Sequence, residues 1–293
     1  MKTYITLLFI TFSISYANIS GVAYFEFEDS FSLSRTYFTY KTDISDELSF
    51  KLQTDVGRLD TGVDDDRWTV YLKKAHLDWK VNSDMKISMG MIGMNMFNVQ
   101  EKTWGNRFLK KSAMDEYKFS ASADLGFAIT QKLGPVTASV LMSNGEGYKE
   151  SDVDDENKIS VQFVMGEKKL NKQDGYNLGL VYSTLEDVTV TGFFGGWARN
   201  GLRIGIENNS EDDDGITNDL TSIYANYKIN DSLSAFARMD DVERNNDGNA
   251  EEETMAGLIW TPTKGLDICV NSTSQTINNV TEDTAKLNFQ FKF

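Results

Sequence analysis

The chain has 293 residues, 12% of them aromatic, with 22 glycines, two prolines, one cysteine, one histidine and a formal charge of −15. One cysteine rules out an internal disulfide and a cysteine-built metal cluster, and one histidine argues against a His-ligated zinc. No cofactor, metal or nucleic-acid partner is expected. A mean hydropathy of −0.38 suits a soluble chain, but it equally suits a transmembrane barrel, where only alternate residues face lipid.

At the start, Met1-Lys2 is a short positive segment and the apolar run from Ile5 to Ile10 continues to Ile14. Ser15-Tyr16-Ala17 then offers small residues to a signal peptidase. Residues 1–17 are therefore expected to be an export signal, and 18–293 the mature part. The apolar stretch is too short to span a bilayer, and no run of about 18 apolar residues comes after it.

Beyond Ala17 the chain repeats a segment of alternating hydrophobicity. Over 49–57, Phe50, Leu52, Thr54 and Val56 oppose Lys51, Gln53 and Asp55. Over 117–129, Phe119, Ala121, Leu125, Phe127 and Ile129 oppose Lys118, Ser120, Ser122 and Asp124. Over 176–182, Leu178 and Leu180 oppose Asn177 and Gly179. A period of two puts apolar side chains on one face of a strand and polar ones on the other.

The connectors alternate in length. Short ones fall at 43–46, 81–84, 131–134, 230–232 and 261–264, and long ones at 59–67, 95–116, 144–157, 207–219, 240–253 and 275–283. Short turns at one mouth and long loops at the other are the pattern of an all-β, antiparallel, up-and-down transmembrane barrel. The count is about sixteen strands, with fourteen as the alternative because parity is unclear over 183–203. The chain closes on Leu287, Phe289, Phe291 and Phe293 alternating with Asn288, Gln290 and Lys292. This is similar to the terminal strand of outer-membrane barrels, which must pair with the first strand so that no edge stays open in hydrocarbon.

Charge is unevenly spread. The tips at 60–66, 146–156, 207–219, 240–253 and 282–283 hold 25 acidic residues against only Lys149 and Arg244. The rest of the mature chain is mildly basic. Runs such as Asp64-Asp65-Asp66 and Asp212-Asp213-Asp214-Gly215 read as solvated loop tips, and their spacing is not that of an EF-hand.

The connector 95–116 differs from the others. It is the longest and carries both signs: Glu101, Lys102, Arg107, Lys110, Lys111, Asp115 and Glu116. It is expected to fold inward and form a constriction, with Trp104 and Phe108 pinning it to the wall. Arg35, Lys51, Lys118, Asp124, Arg203 and Arg238 fall on polar strand faces and are expected to line the pore, as is His76 between Lys74 and Asp78. Cys269 alternates with Asp267 and Asn271 and is expected to face inward as a lone thiol.

The stretch from about 31 to 147 resembles the phosphate-selective porin O and P family. The resemblance lies in Ser49-Phe50-Lys51-Leu52-Gln53-Thr54-Asp55-Val56-Gly57, in Lys73-Lys74-Ala75-His76-Leu77-Asp78-Trp79 and in Lys86-Ile87-Ser88-Met89-Gly90-Met91. It continues through Phe108-Leu109-Lys110-Lys111-Ser112, Ala123-Asp124-Leu125-Gly126-Phe127 and Ser143-Asn144-Gly145-Glu146-Gly147. It implies a sixteen-stranded, homotrimeric, water-filled channel favouring anions, with Lys74, Lys110 and Lys111 as pore-side basics. The fifth-strand glycine is followed by Met91 and not by a lysine, and the chain has eight arginines, so a general diffusion pore is the expectation. Its partners would be outer-membrane lipid and lipopolysaccharide, with small hydrophilic solutes or ions as cargo. A receptor or adhesin barrel acting through acidic loops is the alternative. An enzyme is not expected, since His76 alone offers a base.

Overall fold

The computed structural model describes residues 17–58, 68–150, 155–245 and 249–293. The expected export signal therefore lies, all but Ala17, outside the described residues, as do the acidic run Asp64-Asp65-Asp66 and the connector 59–67.

The alternating segments form sixteen strands. The first eight are β1 (Asn18–Phe27), β2 (Phe31–Asp43), β3 (Leu48–Arg58), β4 (Trp68–Lys80), β5 (Met85–Gly93), β6 (Ala123–Leu133), β7 (Val136–Ser143) and β8 (Lys158–Gly166). The second eight are β9 (Gly175–Leu185), β10 (Val188–Arg199), β11 (Leu202–Asp213), β12 (Ile216–Lys228), β13 (Leu233–Arg244), β14 (Asn249–Thr263), β15 (Leu266–Ile277) and β16 (Val280–Lys292). Each pairs antiparallel with its sequence neighbours, and β1 pairs with β16, so the barrel has no open edge. Two short helices, α1 (Gln100–Trp104) and α2 (Ala113–Glu116), lie between β5 and β6.

Closure uses the terminal aromatic row. Phe25 faces Phe289 across the seam, Ala23 faces Phe291, and the Phe25 and Phe291 rings meet edge-on at 5.5 Å. Beyond the last register pair, Gly21 and Phe293 exchange both backbone hydrogen bonds at 3.1 Å. These pairs satisfy the amides that would otherwise be left open in hydrocarbon.

The outward side chains form an apolar band. On β6, Leu125, Phe127 and Ile129 are exposed; on β9, Leu178 and Leu180 are. Exposed aromatic residues ring the mouth that holds both chain ends: Trp79, Tyr176, Trp197, Tyr227 and Trp260 each sit beside a turn at that end. A girdle of amphipathic rings at the edge of an apolar band marks a membrane interface. The protein is thus a transmembrane β-barrel of the bacterial outer membrane. The chain-end mouth is the periplasmic one, because the long connectors 94–122 and 144–157 lie at the other.

Three expected long loops are strand instead. The connectors at 207–219, 240–253 and 275–283 shrink to 214–215, 245–248 and 278–279, and the flanking strands continue through the acidic residues. Asp214-Gly215 and Asn278-Asn279 have positive φ at both turn positions, the mirror-type turn whose twist matches paired strands. The unclear stretch 183–203 resolves the same way: β9, β10 and β11 join through 186–187 and 200–201, which fixes sixteen strands. The alternation over 117–129 reads as one strand, but β6 begins at Ala123 and Phe119 is buried inside the barrel.

Candidate pore constriction

Residues 94–122 leave the wall after β5 and run through the barrel interior. Their apolar content explains why. Met96, Phe97, Val99, Ala113, Met114, Tyr117 and Phe119 bury against Val164, Val181, Val190, Phe194, Leu220 and Val242 on the inner faces of β8 to β13. Trp104 and Phe108 join Tyr24, Tyr37, Tyr224, Phe236, Met255 and Ile259 in a second cluster. Trp104 is completely buried, with its ring 5.3 Å from Tyr224 and 5.8 Å from Phe236. An inner wall this apolar would be poorly hydrated on its own, and the segment takes it out of water.

Polar ties fix the position. Tyr224 Oη donates to Gln100 O at 3.2 Å, Arg203 Nη2 to Trp104 O at 3.0 Å, and Arg238 Nη1 to Lys111 O at 2.6 Å. Lys110 Nζ lies 2.5 Å from Glu253, while Tyr117 Oη donates to Asp240, itself paired with Arg238 at 2.8 Å. The hydroxyl of Tyr117 is held well above its usual range by burial and by the Asp240 and Glu253 carboxylates.

With the segment packed mainly on β8 to β15, open space remains along β1 to β7 and, at the outer mouth, across to β10 and β11. An inner chamber of about 550 Å³ lies on the periplasmic side, and an outer vestibule of about 450 Å³ on the other. Arg107 and Ser122 line both and stand between them. Arg107 Nη1 is 2.6 Å from both Glu101 and Asp115. Burial works against its charge, but Glu101, Tyr37 and Asp115 outweigh this and hold the guanidinium well above its ordinary range.

Six cations line the inner chamber (Lys51, Lys73, Lys74, Lys86, Lys102 and Arg107) against Asp78 and Glu101. Arg107 is neutralised by Glu101 and Asp115, Lys86 pairs with Asp78 at 3.0 Å, and Lys73 lies 3.7 Å from Asp55. Lys51, Lys74 and Lys102 have no carboxylate partner among the described residues. Burial, and after it the Lys169 ammonium, hold Lys102 below the ordinary lysine range. The chamber thus holds three lysines without a carboxylate partner among the described residues, inside an acidic molecule.

The expected residues divide by location. Glu101, Lys102 and Arg107 face the inner chamber together with Lys51, Lys74, His76 and Asp78. His76 Nδ1 lies 3.2 Å from the Met91 carbonyl. Lys111, Asp115, Arg35 and Lys118 line the outer vestibule, and Glu116 lies 3.7 Å from Lys111. Lys118 is not on a strand: it sits in the inner segment with a φ of 66°. Lys110 and Arg238 do not face water. Both are buried in the anchor with Asp240 and Glu253, because a charge held between sheet and loop needs a partner there. Asp124 is also buried, and accepts hydrogen bonds from the backbone N–H of Leu125 and of Gly145. Arg203 opens onto a third, separate cavity. Cys269 points inward but is fully buried in the aromatic cluster.

Several participants escape the period-two pattern. Continued alternation from Lys74 would turn Lys73 to lipid, but a bulge where Gln53 and Thr54 meet β4 turns it inward. There it is buried, and it donates to Tyr37 Oη at 3.2 Å and to Tyr148 Oη at 3.3 Å. Adjacent lysines in a membrane strand were the available signal, since neither tolerates lipid. The contact with Tyr148 means that residues 144–150 also lean inward. Glu207, Asp240 and Glu253, expected at outer tips, are buried in the inner wall.

At the level of sequence, no family model and no curated protein matches the chain. Solved structures share its fold. The outer-membrane-expressed OmpT of Vibrio cholerae is 12% identical at a TM-score of 0.66, covering 97% of this chain and 99% of that one. Salmonella typhi OmpF in complex with daunomycin is 11% identical at 0.68, covering 94% and 97%. An anion-selective porin from Comamonas acidovorans is 9% identical at 0.66, covering 95% and 100%. The kinship to the porin O and P family is not among these likenesses; the shared fold is that of outer-membrane porins more broadly.

Proposed function

We propose that the protein is an outer-membrane porin that lets small hydrophilic solutes and ions diffuse passively, favouring anions. The observation that carries this reading is the inner chamber, where Lys51, Lys74 and Lys102 have no carboxylate partner among the described residues and Arg107 stands between it and the outer vestibule. Sixteen strands enclose more space than wall side chains fill, and the inward segment leaves part of it open to water. Walls of low dielectric strengthen the field of fixed charges in such a gap, and salt screens the exposed acidic groups of the outer rim more than it screens charges inside the barrel.

The export signal over 1–17, the homotrimer and contact with lipopolysaccharide belong to the same proposal; cross-linking of the protein in native membranes checks the trimer. The central test is planar-bilayer recording under a KCl gradient. Wild type should give steady open steps with a chloride-favouring reversal potential. Replacing Lys51, Lys74 and Lys102 together by Glu should reverse its sign. A folded barrel that never opens would sink the porin reading, and an unchanged potential in the triple variant would sink the role of the lysines.

A further inference from the structure

The barrel holds a third cavity, of about 420 Å³, at the periplasmic mouth. It shares no lining residue with the inner chamber or the outer vestibule. Its roof is the inward segment at Gly105, Asn106 and Phe108, and above that Trp104, Tyr224, Phe236 and Met255 close the interior. A solute entering here meets packed aromatic rings, so the cavity is a dead end and not a second conduit.

Its charges are sorted. At the rim, Lys228 pairs with Asp231 at 2.7 Å and Lys292 with Asp267 at 3.0 Å. Deeper in, Arg203 has no carboxylate partner among the described residues. Its Nη2 donates to Trp104 O, and its Nε is buried with no hydrogen-bond partner. Lys172, on the same lining, is likewise without an ion pair among the described residues. The roof is shaped around the guanidinium: at Gly105, which has a φ of 77°, a Cβ would come within 2.8 Å of Arg203 Nη2 and 3.1 Å of the Asn171 Cβ. Asn106 and Asn226 add amide groups, joined by a hydrogen bond of 2.5 Å.

A planar cation whose Nη1 makes no hydrogen bond among the described residues, at the end of a polar blind cup, matches an oxyanion. We propose that this cup binds a small oxyanion, a carboxylate or a phosphate, from the periplasmic side, with Arg203 as its principal contact. Binding here does not require that the barrel conduct.

The test is calorimetric titration of the refolded barrel in non-ionic detergent with sodium acetate in one arm and inorganic phosphate in the other. Wild type, Arg203→Gln and a Lys51→Gln/Lys74→Gln double variant are compared, with heat-modifiable gel mobility confirming folding. Saturable binding in either arm is expected, about tenfold weaker in Arg203→Gln and retained in the lysine variant. Which arm saturates identifies carboxylate or phosphate as the ligand. Binding lost in the lysine variant but kept in Arg203→Gln would move the site to the inner chamber and overturn the proposal. No saturable binding in wild type would overturn it too, while leaving the conductance test of the porin reading untouched.

Discussion

Single residues in this barrel are sorted by whether their charge is matched. Arg238 and Asp240 are both buried and meet at 2.8 Å, with Arg238 stacked 5.1 Å from the Trp104 ring. Removing Arg238 takes the nearest cation from the buried Asp240, leaving Lys110 at 3.9 Å and the Tyr117 and Ser222 hydroxyls to hold its charge, at a cost of up to about 3–5 kcal/mol. Arg238→Ala should therefore lower the heat and urea resistance of the folded barrel by that order; an unchanged midpoint would show that water replaces the guanidinium. Lys102 is the opposite case, a cation with no matching carboxylate, lowered by burial and by Lys169, Lys86 and Lys172 against the opposing pull of Glu101. Raising the pH should discharge it before an ordinary lysine. Chloride preference should fall over that range in wild type and be flatter in Lys102→Gln, read from reversal potentials across a pH series.

Among the elements, the second half of the barrel shows that a charged stretch need not be a loop. On β15 the outward residues run Leu266, Ile268, Val270 and then Ser272, Ser274, Thr276. On β16 the outward row passes from Phe291, Phe289 and Leu287 through Ala285 to Asp283. The strands stay paired past the apolar band, so their upper parts stand in water while still hydrogen-bonded as sheet. An arginine at Val270, which is 60% exposed within the band, should cost about 2–4 kcal/mol, and one at Ser274 far less, since it stands beside Asp283 above the band. Folding yields into lipid vesicles compare the two; equal penalties would mean that the apolar band reaches higher than these residues imply.

The whole molecule is divided lengthwise. The inward segment packs mainly on β8 to β15, the inner chamber follows β1 to β7, and the outer vestibule reaches across to β10 and β11. Cys269 lies fully buried on the filled side, and Lys74 borders the chamber. A charged methanethiosulfonate reagent should leave the current of the wild type unchanged. In a Cys269→Ser/Lys74→Cys variant it should reduce the current. A current altered in wild type, or left unaltered in that variant, would put the water path on the wrong side.

Local pattern along the chain was enough to establish the class of wall. Strict alternation, turn residues and a terminal aromatic row repeat from strand to strand, so closure and the membrane-facing set were legible, and the strand number to within two; the short joins at 186–187 and 200–201 settled it at sixteen. The same alternation put Lys51, Lys74, His76 and Asp78 on polar faces, and in the closed barrel they line one cavity, while Trp104 and Phe108 lie in one buried cluster. The partners of the inward groups became definite only in the closed fold. Whether Lys110 and Arg238 face water or carboxylates depends on how a loop settles against strands more than a hundred residues away, and Lys73 turns inward through a bulge that the register with β3 creates. Period two assigns a face; it does not say which charges across the barrel will share it, because that depends on distances that the chain acquires only when the barrel closes.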